Sequence, residues 1–306
     1  MTRRTNLILY LASWWLLVLA AGPLAAQQKV KIALWGDSRE NAENACSNIA
    51  HILLYDVTDW TFQVHTGDFT HDGSEEAWQR TLHYSGVDSI FVRGRFYMST
   101  SNHEFKSKDG KENFDKYTAG VLPTNAADGS THFYAVHVSN VDVIFCDGYA
   151  TDKDVMQRWL DGLLSTIPRN DWIIGVWHNP TYDDLSYKEG YYNTSMPWVE
   201  SLYKHGCKFI LNGHAHIYLR TKPLRPDGTI DEKNGIVNVI NGTGGASYKD
   251  PSPFSPKIAF NPSERSFACI TFLTFEGNSV TLQTVDARPG KNLHVIDEWH
   301  WTKPNS

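Results

Sequence analysis

Five times along this chain a short apolar run ends in a residue able to bind a cation. Val30–Trp35 runs into Gly36-Asp37, Thr61–His65 into Gly67-Asp68, and Phe96–Thr100 into Asn102-His103. Asp171–Trp177 runs into His178, and Lys208–Leu211 into Asn212-Gly213-His214-Ala215-His216. Runs this short, bounded by Gly and polar residues, read as strands. Helical patterns lie among them. Ala42, Ala45, Cys46, Ile49, Ile52 and Leu53 fall at three-and-four spacing over 39–56, and Ser74–Tyr84 and Met196–Lys204 read as further helices. Thr151-x-x-Asp154 resembles a capping box that opens a helix with Val155, Met156, Trp159, Leu160, Leu163 and Leu164 inward. Residues 104–130 read as loop, His132–Val138 and Val141–Asp147 as a hairpin, and 235–241 and 266–286 as strands of a later sheet. Such alternation gives an α/β fold, in which sites form where the carboxyl ends of strands converge.

Taken singly, each of these polar residues has an ordinary explanation. Asp37 and Asp68 follow a Gly after a strand, as turn residues do. A lone His178 needs no ligand, and His214/His216 alone reads equally well as a loop pair. Together they offer hard oxygens, a neutral amide oxygen and imidazole nitrogens. That mixture suits Fe, Mn or Zn better than Ca or Mg.

In this order the motifs are Gly36-Asp37-Ser38-Arg39, Gly67-Asp68-Phe69-Thr70-His71-Asp72-Gly73, Ser101-Asn102-His103-Glu104, Val176-Trp177-His178-Asn179-Pro180 and Gly213-His214-Ala215-His216. The set resembles the calcineurin-like metallophosphoesterases, including the purple acid phosphatases and phosphodiesterases, over roughly residues 29–250. A Gly-rich turn, Asn241-Gly242-Thr243-Gly244-Gly245, lies where members of that family often carry one.

The resemblance implies a four-layer α/β/β/α sandwich of two mixed β-sheets flanked by helices. It also implies two divalent or mixed-valence metal ions (Fe, Mn or Zn) at the strand ends. Asp68 would bridge them, with Asp37 and His216 on the first and Asn102, His178 and His214 on the second. A water between the ions would attack a phosphomonoester or small phosphodiester, and His103 would assist the leaving group.

Two positions depart from the family pattern. Arg39 stands where the first motif carries His, and a guanidinium has no lone pair to ligate with. His71, three residues after Asp68 where purple acid phosphatases carry a metal-binding Tyr, is a candidate replacement ligand; a polar turn residue is the plainer explanation. Arg39 itself is a candidate substrate-binding residue at the rim, since guanidinium suits bidentate phosphate contact, or else a solvated helix start. Ser101 replaces Gly before Asn102, which costs strain if that backbone must be left-handed.

Composition bounds the rest. With 306 residues, 41% of them hydrophobic, the chain can bury a substantial core, and its formal charge of −6 disfavours coating nucleic acid or binding an anionic membrane. Arg3 and Arg4, the apolar run 7–22 and the small residues to Ala26 form an export signal, with an uncleaved anchor as the alternative. Residues 27–306 then form one domain in a periplasmic or secreted protein. Cys46, Cys146, Cys207 and Cys269 make no CxxC pair, and buried free thiols and disulfides both remain open. The expected partner is a small phosphorylated substrate. Tyr182, Tyr187, Tyr191 and Tyr192 cluster near the expected rim. Two other functions compete: an impaired relative that binds a phosphorylated ligand or partner without turnover, and a carbohydrate binder using the many Trp. Trp35, Trp159 and Trp172 weigh against the latter, because they sit at core-like positions.

Overall fold

The computed structural model describes residues 28–124, 128–182, 195–250, 255–262 and 264–304. The expected leader 1–26 and Tyr187, Tyr191 and Tyr192 lie outside the described residues. The strands are β1 (Val30–Trp35), β2 (Phe62–His65), β3 (Phe96–Met98), β4 (Tyr134–Val138), β5 (Val141–Phe145), β6 (Trp172–Val176), β7 (Phe209–Asn212), β8 (Tyr218–Thr221), β9 (Val237–Asn241), β10 (Ile258–Phe260), β11 (Cys269–Glu276), β12 (Ser279–Asp286) and β13 (Val295–Thr302). The α-helices are α1 (Ala45–His51), α2 (Glu75–Leu82), α3 (Val87–Ile90), α4 (Gly110–Thr118), α5 (Lys153–Leu164) and α6 (Met196–Lys204).

Two mixed sheets result, one ordered β13-β12-β11-β1-β2-β3 and the other β10-β8-β9-β7-β6-β5-β4. β1, β2 and β3 run parallel, as do β5, β6 and β7, while the closing strands pair antiparallel. The strands buried on both faces are those that read as unbroken apolar runs. Along them side chains alternate between two cores. Ile174, Phe209 and Leu211 point between the sheets, towards Leu34, Val64 and Tyr97. Ile173 and Ile210 point outward against Met156, Leu160 and Leu164 of α5 and Trp198, Val199 and Leu202 of α6. On the other sheet, Trp78 of α2 meets Phe69 at 5.7 Å, and Phe91 after α3 meets Phe96 of β3 at 4.8 Å. This is the expected sandwich of two mixed sheets flanked by helices.

Several local expectations need correction. The helix expected over 39–56 begins at Ala45, because Asn41, Glu43 and Asn44 are left-handed and Ala42 N–H donates to Gly245 O at 2.7 Å. Thr151 does not cap α5: its hydroxyl donates to Asp147 Oδ2 at 2.7 Å, and Asp152 accepts from the amides of Asp154 and Val155 instead. Val155 is exposed rather than inward. The stretch 104–130 contains α4, whose apolar content is too low to show as a periodic stripe. The four cysteines are free and buried, and burial pushes the Cys46 and Cys207 thiols up to about 12. Trp35 and Trp172 are core residues, and Trp159 packs on the outer core, so these three Trp form no exposed sugar-stacking face.

One polar cluster ties the sheets together. Asp297 of β13 accepts from Arg220 of β8 twice, Nε at 2.7 Å and Nη2 at 2.8 Å, and from the Tyr218 hydroxyl at 2.7 Å. All three residues are buried. Asp297→Ala leaves a buried guanidinium without its carboxylate, which is expected to cost about 3–5 kcal/mol. Urea unfolding measures it, and a loss under about 1 kcal/mol contradicts the assignment.

Candidate metal centre

The loops after β1, β2, β3, β6 and β7 bring Asp37, Asp68, Asn102, His178, His214 and His216 to one end of the sandwich. Asp37, Asp68 and His216 are buried, with ligand atoms all within 4.8 Å of one another. His216 Nε2 lies 3.5 Å from Asp37 Oδ1. His178 Nε2 lies 3.2 Å from Asp68 Oδ1 and 3.2 Å from His214 Nδ1. Two donors each about 2.1 Å from one ion and about 100° apart lie about 3.2 Å from each other, so these are ligand-to-ligand spacings.

The imidazoles are oriented by backbone carbonyls. His178 Nδ1 donates to Thr66 O at 2.8 Å and His216 Nδ1 to Ser247 O at 2.9 Å. Each ring then turns its Nε2 lone pair towards the carboxylates, as ligating histidines do. The Asn102 amide oxygen is buried with no hydrogen-bond partner, which fits an amide placed to face a cation.

The backbone at these turns is unusual. Among the described residues, eight non-glycine positions have left-handed φ, and four of them are Asp37 (56°), Asp68 (54°), His214 (67°) and His216 (48°). Such residues cluster at functional sites. The turns also need their glycines. At Gly67 (φ 95°) a Cβ would meet Ser101 Cβ at 2.7 Å and His178 Nδ1 at 2.9 Å, and at Gly213 it would collide with Asp37 Oδ2.

Ser101 is not among the left-handed residues, so the Gly-to-Ser change carries no strain of that kind. It is a working group instead. Its Oγ donates to Asp68 Oδ1 at 2.6 Å, accepts from Asp68 N–H at 2.8 Å and contacts Glu104 Oε2 closely. One hydroxyl hydrogen cannot serve two carboxylates, so a proton on Glu104 completes the chain. Burial first, and then the Asp68 charge, push Glu104 up to about 7. Burial alone would raise Asp68 too. His178 and His103 when protonated, the Arg39 charge and the Ser101 hydroxyl hold it well below the usual carboxylate range.

His103 lies beside Asp68, with Nε2 at 3.8 Å from Asp68 Oδ2 and its amide donating to Asp68 Oδ1 at 3.3 Å. Its Nδ1 donates to the His71 carbonyl, leaving Nε2 as the nitrogen that can exchange a proton. Burial lowers its proton affinity and the Asp68 charge partly restores it.

The His71 ring is 43% exposed and lies 3.9 Å from Glu40, outside the Asp37/Asp68/His216 group. Arg39 is neither a solvated helix start nor a rim residue. It is only 8% exposed, with Nε 3.3 Å from Asp68 Oδ2, Nη2 3.1 Å from His216 Nε2 and Nη1 3.0 Å from Glu40 Oε1. Tyr182 is buried, its hydroxyl donating to Arg225 O at 2.8 Å.

Sequence reasoning missed three contributors. Glu104 stood inside a quoted motif, but its role as acceptor for Asp68 N–H (3.1 Å) and Thr70 N–H (2.9 Å) needed the fold. His65 is fully buried, and burial drives it down to about 3, so it is neutral. Its Nδ1 accepts from Gly67 N–H at 3.2 Å, leaving Nε2–H for Ser38 Oγ at 3.1 Å, and the pair braces the Asp68 turn. The carbonyls of Thr66, Ser247 and His71 carry no side-chain signal at all.

A family model described as calcineurin-like phosphoesterase matches residues 46–218, beginning after Asp37 and Arg39. The chain is similar to purple acid phosphatase 15 of Arabidopsis thaliana, 24% identical over 213 residues, covering 66% of this chain and 39% of that protein. It therefore spans about two fifths of the length of that curated relative. Among solved structures it is similar to purple acid phosphatase PPD1 from yellow lupin (Lupinus luteus), with TM-score 0.66 and 16% identity over 90% of this chain and 54% of that one. A dimetal phosphatase from Danio rerio superposes with TM-score 0.61 and 10% identity, over 90% of this chain and 99% of its own. At these identities the structural likenesses concern the fold.

Proposed function

The chain belongs to the calcineurin-like phosphoesterase family, and on that footing we propose that it is an exported, metal-dependent hydrolase of a phosphomonoester or small phosphodiester. One observation supports this above the others: five loops distant in sequence converge, and two of them turn histidine Nε2 lone pairs onto paired buried carboxylates. Export draws on residues 1–26 alone. Among the described residues no helix is long and apolar enough to cross a membrane.

Asp68, Asn102, His178 and His214 suit a divalent ion by donor type, with His178 Nε2 3.2 Å from both Asp68 Oδ1 and His214 Nδ1, and Asp37 and His216 stand with Asp68 on the other side. A bound ion there polarises phosphoryl oxygens and lowers the pKa of water. Asp68 remains ionised and holds both sides in register. Glu104 and Ser101 fix the Asp68 carboxylate from behind, and His65 and Ser38 fix the turn that carries it. His103 as the imidazolium gives its Nε2 proton to the departing alkoxide and is left as the Nδ1–H tautomer that the His71 carbonyl holds.

The test is hydrolysis of aryl monoester and diester substrates before and after chelation. Activity is expected to vanish on metal removal and return with Mn, Fe or Zn. Turnover that survives complete removal contradicts the proposal. The alternative, a relative that binds a phosphorylated ligand without turnover, draws on the Arg39 contacts and predicts ligand binding with no product.

A further inference from the structure

The two sides of Asp68 are not alike. Its Oδ1 faces His178 and Ser101, while its Oδ2 faces the Arg39 guanidinium. We propose that this guanidinium takes the place of one cation, so that the chain binds a single metal ion, on the side of Asp68, Asn102, His178 and His214. The inference rests on the metal-dependent reading above.

Among the described residues, Asp37, Asp68 and His216 form a buried cluster whose ligand atoms lie close enough together to hold an ion. Arg39 touches two of its three members. Because His216 Nδ1 donates to Ser247 O, the nitrogen facing Arg39 is the acceptor one. A guanidinium has only donors, so Arg39 Nη2–H spends the very lone pair an ion would need. The nearest Asp68 oxygen, Oδ2, is already ion-paired with the guanidinium, at 3.3 Å from Nε.

The position of Arg39 is set by the backbone, not only by its side chain. Asp37 N–H donates to Gly67 O at 2.9 Å and Arg39 N–H to Asp68 O at 3.1 Å, which locks the two motif turns side by side. The outer nitrogen Nη1 is held by Glu40 at 3.0 Å. An ion entering this side has to displace the Arg39 contacts with Asp68 and His216 and leave a buried positive charge without them. The other side has the Asn102 oxygen buried without a partner, and two imidazole nitrogens 3.2 Å apart that need a proton or a cation between them. The charge balance follows. Arg39 supplies fixed positive charge against Asp68, and the exchangeable charge comes from one ion.

The experiment loads purified wild-type protein with Mn(II), removes excess by gel filtration and counts Mn per chain by elemental analysis. One ion per chain is expected, with the electron paramagnetic resonance spectrum of an isolated Mn(II). Arg39→Ala and Arg39→His are expected to take up two ions and to show an exchange-coupled pair. Two ions or none in the wild type overturns the proposal, as does an Arg39→Ala or Arg39→His protein that still holds one. The wild-type spectrum decides even if neither variant folds. Because the count needs no substrate, the two readings separate. One ion without hydrolysis upholds this inference and sinks the proposed activity. Hydrolysis with two ions does the reverse.

Discussion

Asp68→Asn is expected to lower kcat/KM for an aryl phosphate by at least about 10³-fold while the protein stays folded. The substitution keeps shape and removes charge. In the native site both carboxylate oxygens are engaged, Oδ1 with the Ser101 hydroxyl and His178, Oδ2 with Arg39 and within 3.8 Å of His103. An amide placed to accept from Ser101 turns its NH₂ towards the guanidinium, donor against donor. It also no longer offsets the positive charge of Arg39, so cation affinity falls along with turnover. Steady-state kinetics at saturating metal separates the two losses, since added metal recovers only the binding part. A variant within tenfold of wild type at saturating metal contradicts the central place given to Asp68.

His103→Gln is expected to lose about 10²–10⁴-fold on an alkyl phosphate and much less on a p-nitrophenyl ester. A good leaving group departs without a proton, whereas an alkoxide does not. Glutamine can still donate a hydrogen bond but cannot hand over a proton. The comparison therefore distinguishes proton transfer from simple positioning of the phosphoryl group. Equal losses on both esters would assign His103 to electrostatic stabilisation. The Nδ1–H contact with the His71 carbonyl already commits one nitrogen, so the whole effect is expected to be carried by Nε2.

Much of this was readable from residue order. The strands after which Asp37, Asp68, His178 and His214 fall are short apolar runs, and burial on both faces makes such runs conspicuous. Helix α6 was legible because Trp198, Val199 and Leu202 repeat at three-and-four spacing. Helix α4 was not, because its buried side consists of little more than Phe114 between Gly110 and Thr118. The start of α1 was obscured by a turn that answers to a distant partner, Gly245, rather than to its own sequence. At the site, side-chain identity announced the candidate ligands but not their support. Ser101 looked like a misfit in a glycine position, yet its value lies in a hydroxyl that joins Asp68 to Glu104. Arg39 looked like a surface residue beside a helix, since nothing local shows that the β1 and β2 turns press it inward against His216.

The left-handed turns at Asp37, Asp68, His214 and His216 have a wider implication for how this protein ages under mutation. Each holds a side chain in backbone that glycine would adopt freely, at a penalty of about 1–3 kcal/mol per position. Random drift towards glycine at these four places would relax the chain while erasing its chemistry. Sturdiness and competence therefore pull in opposite directions at the mouth of the sandwich. A lineage of this fold released from selection for turnover would be expected to gain thermal resistance from such changes only where the lost side chain leaves no buried partner uncompensated, which excludes Asp68, whose loss strands the Arg39 guanidinium.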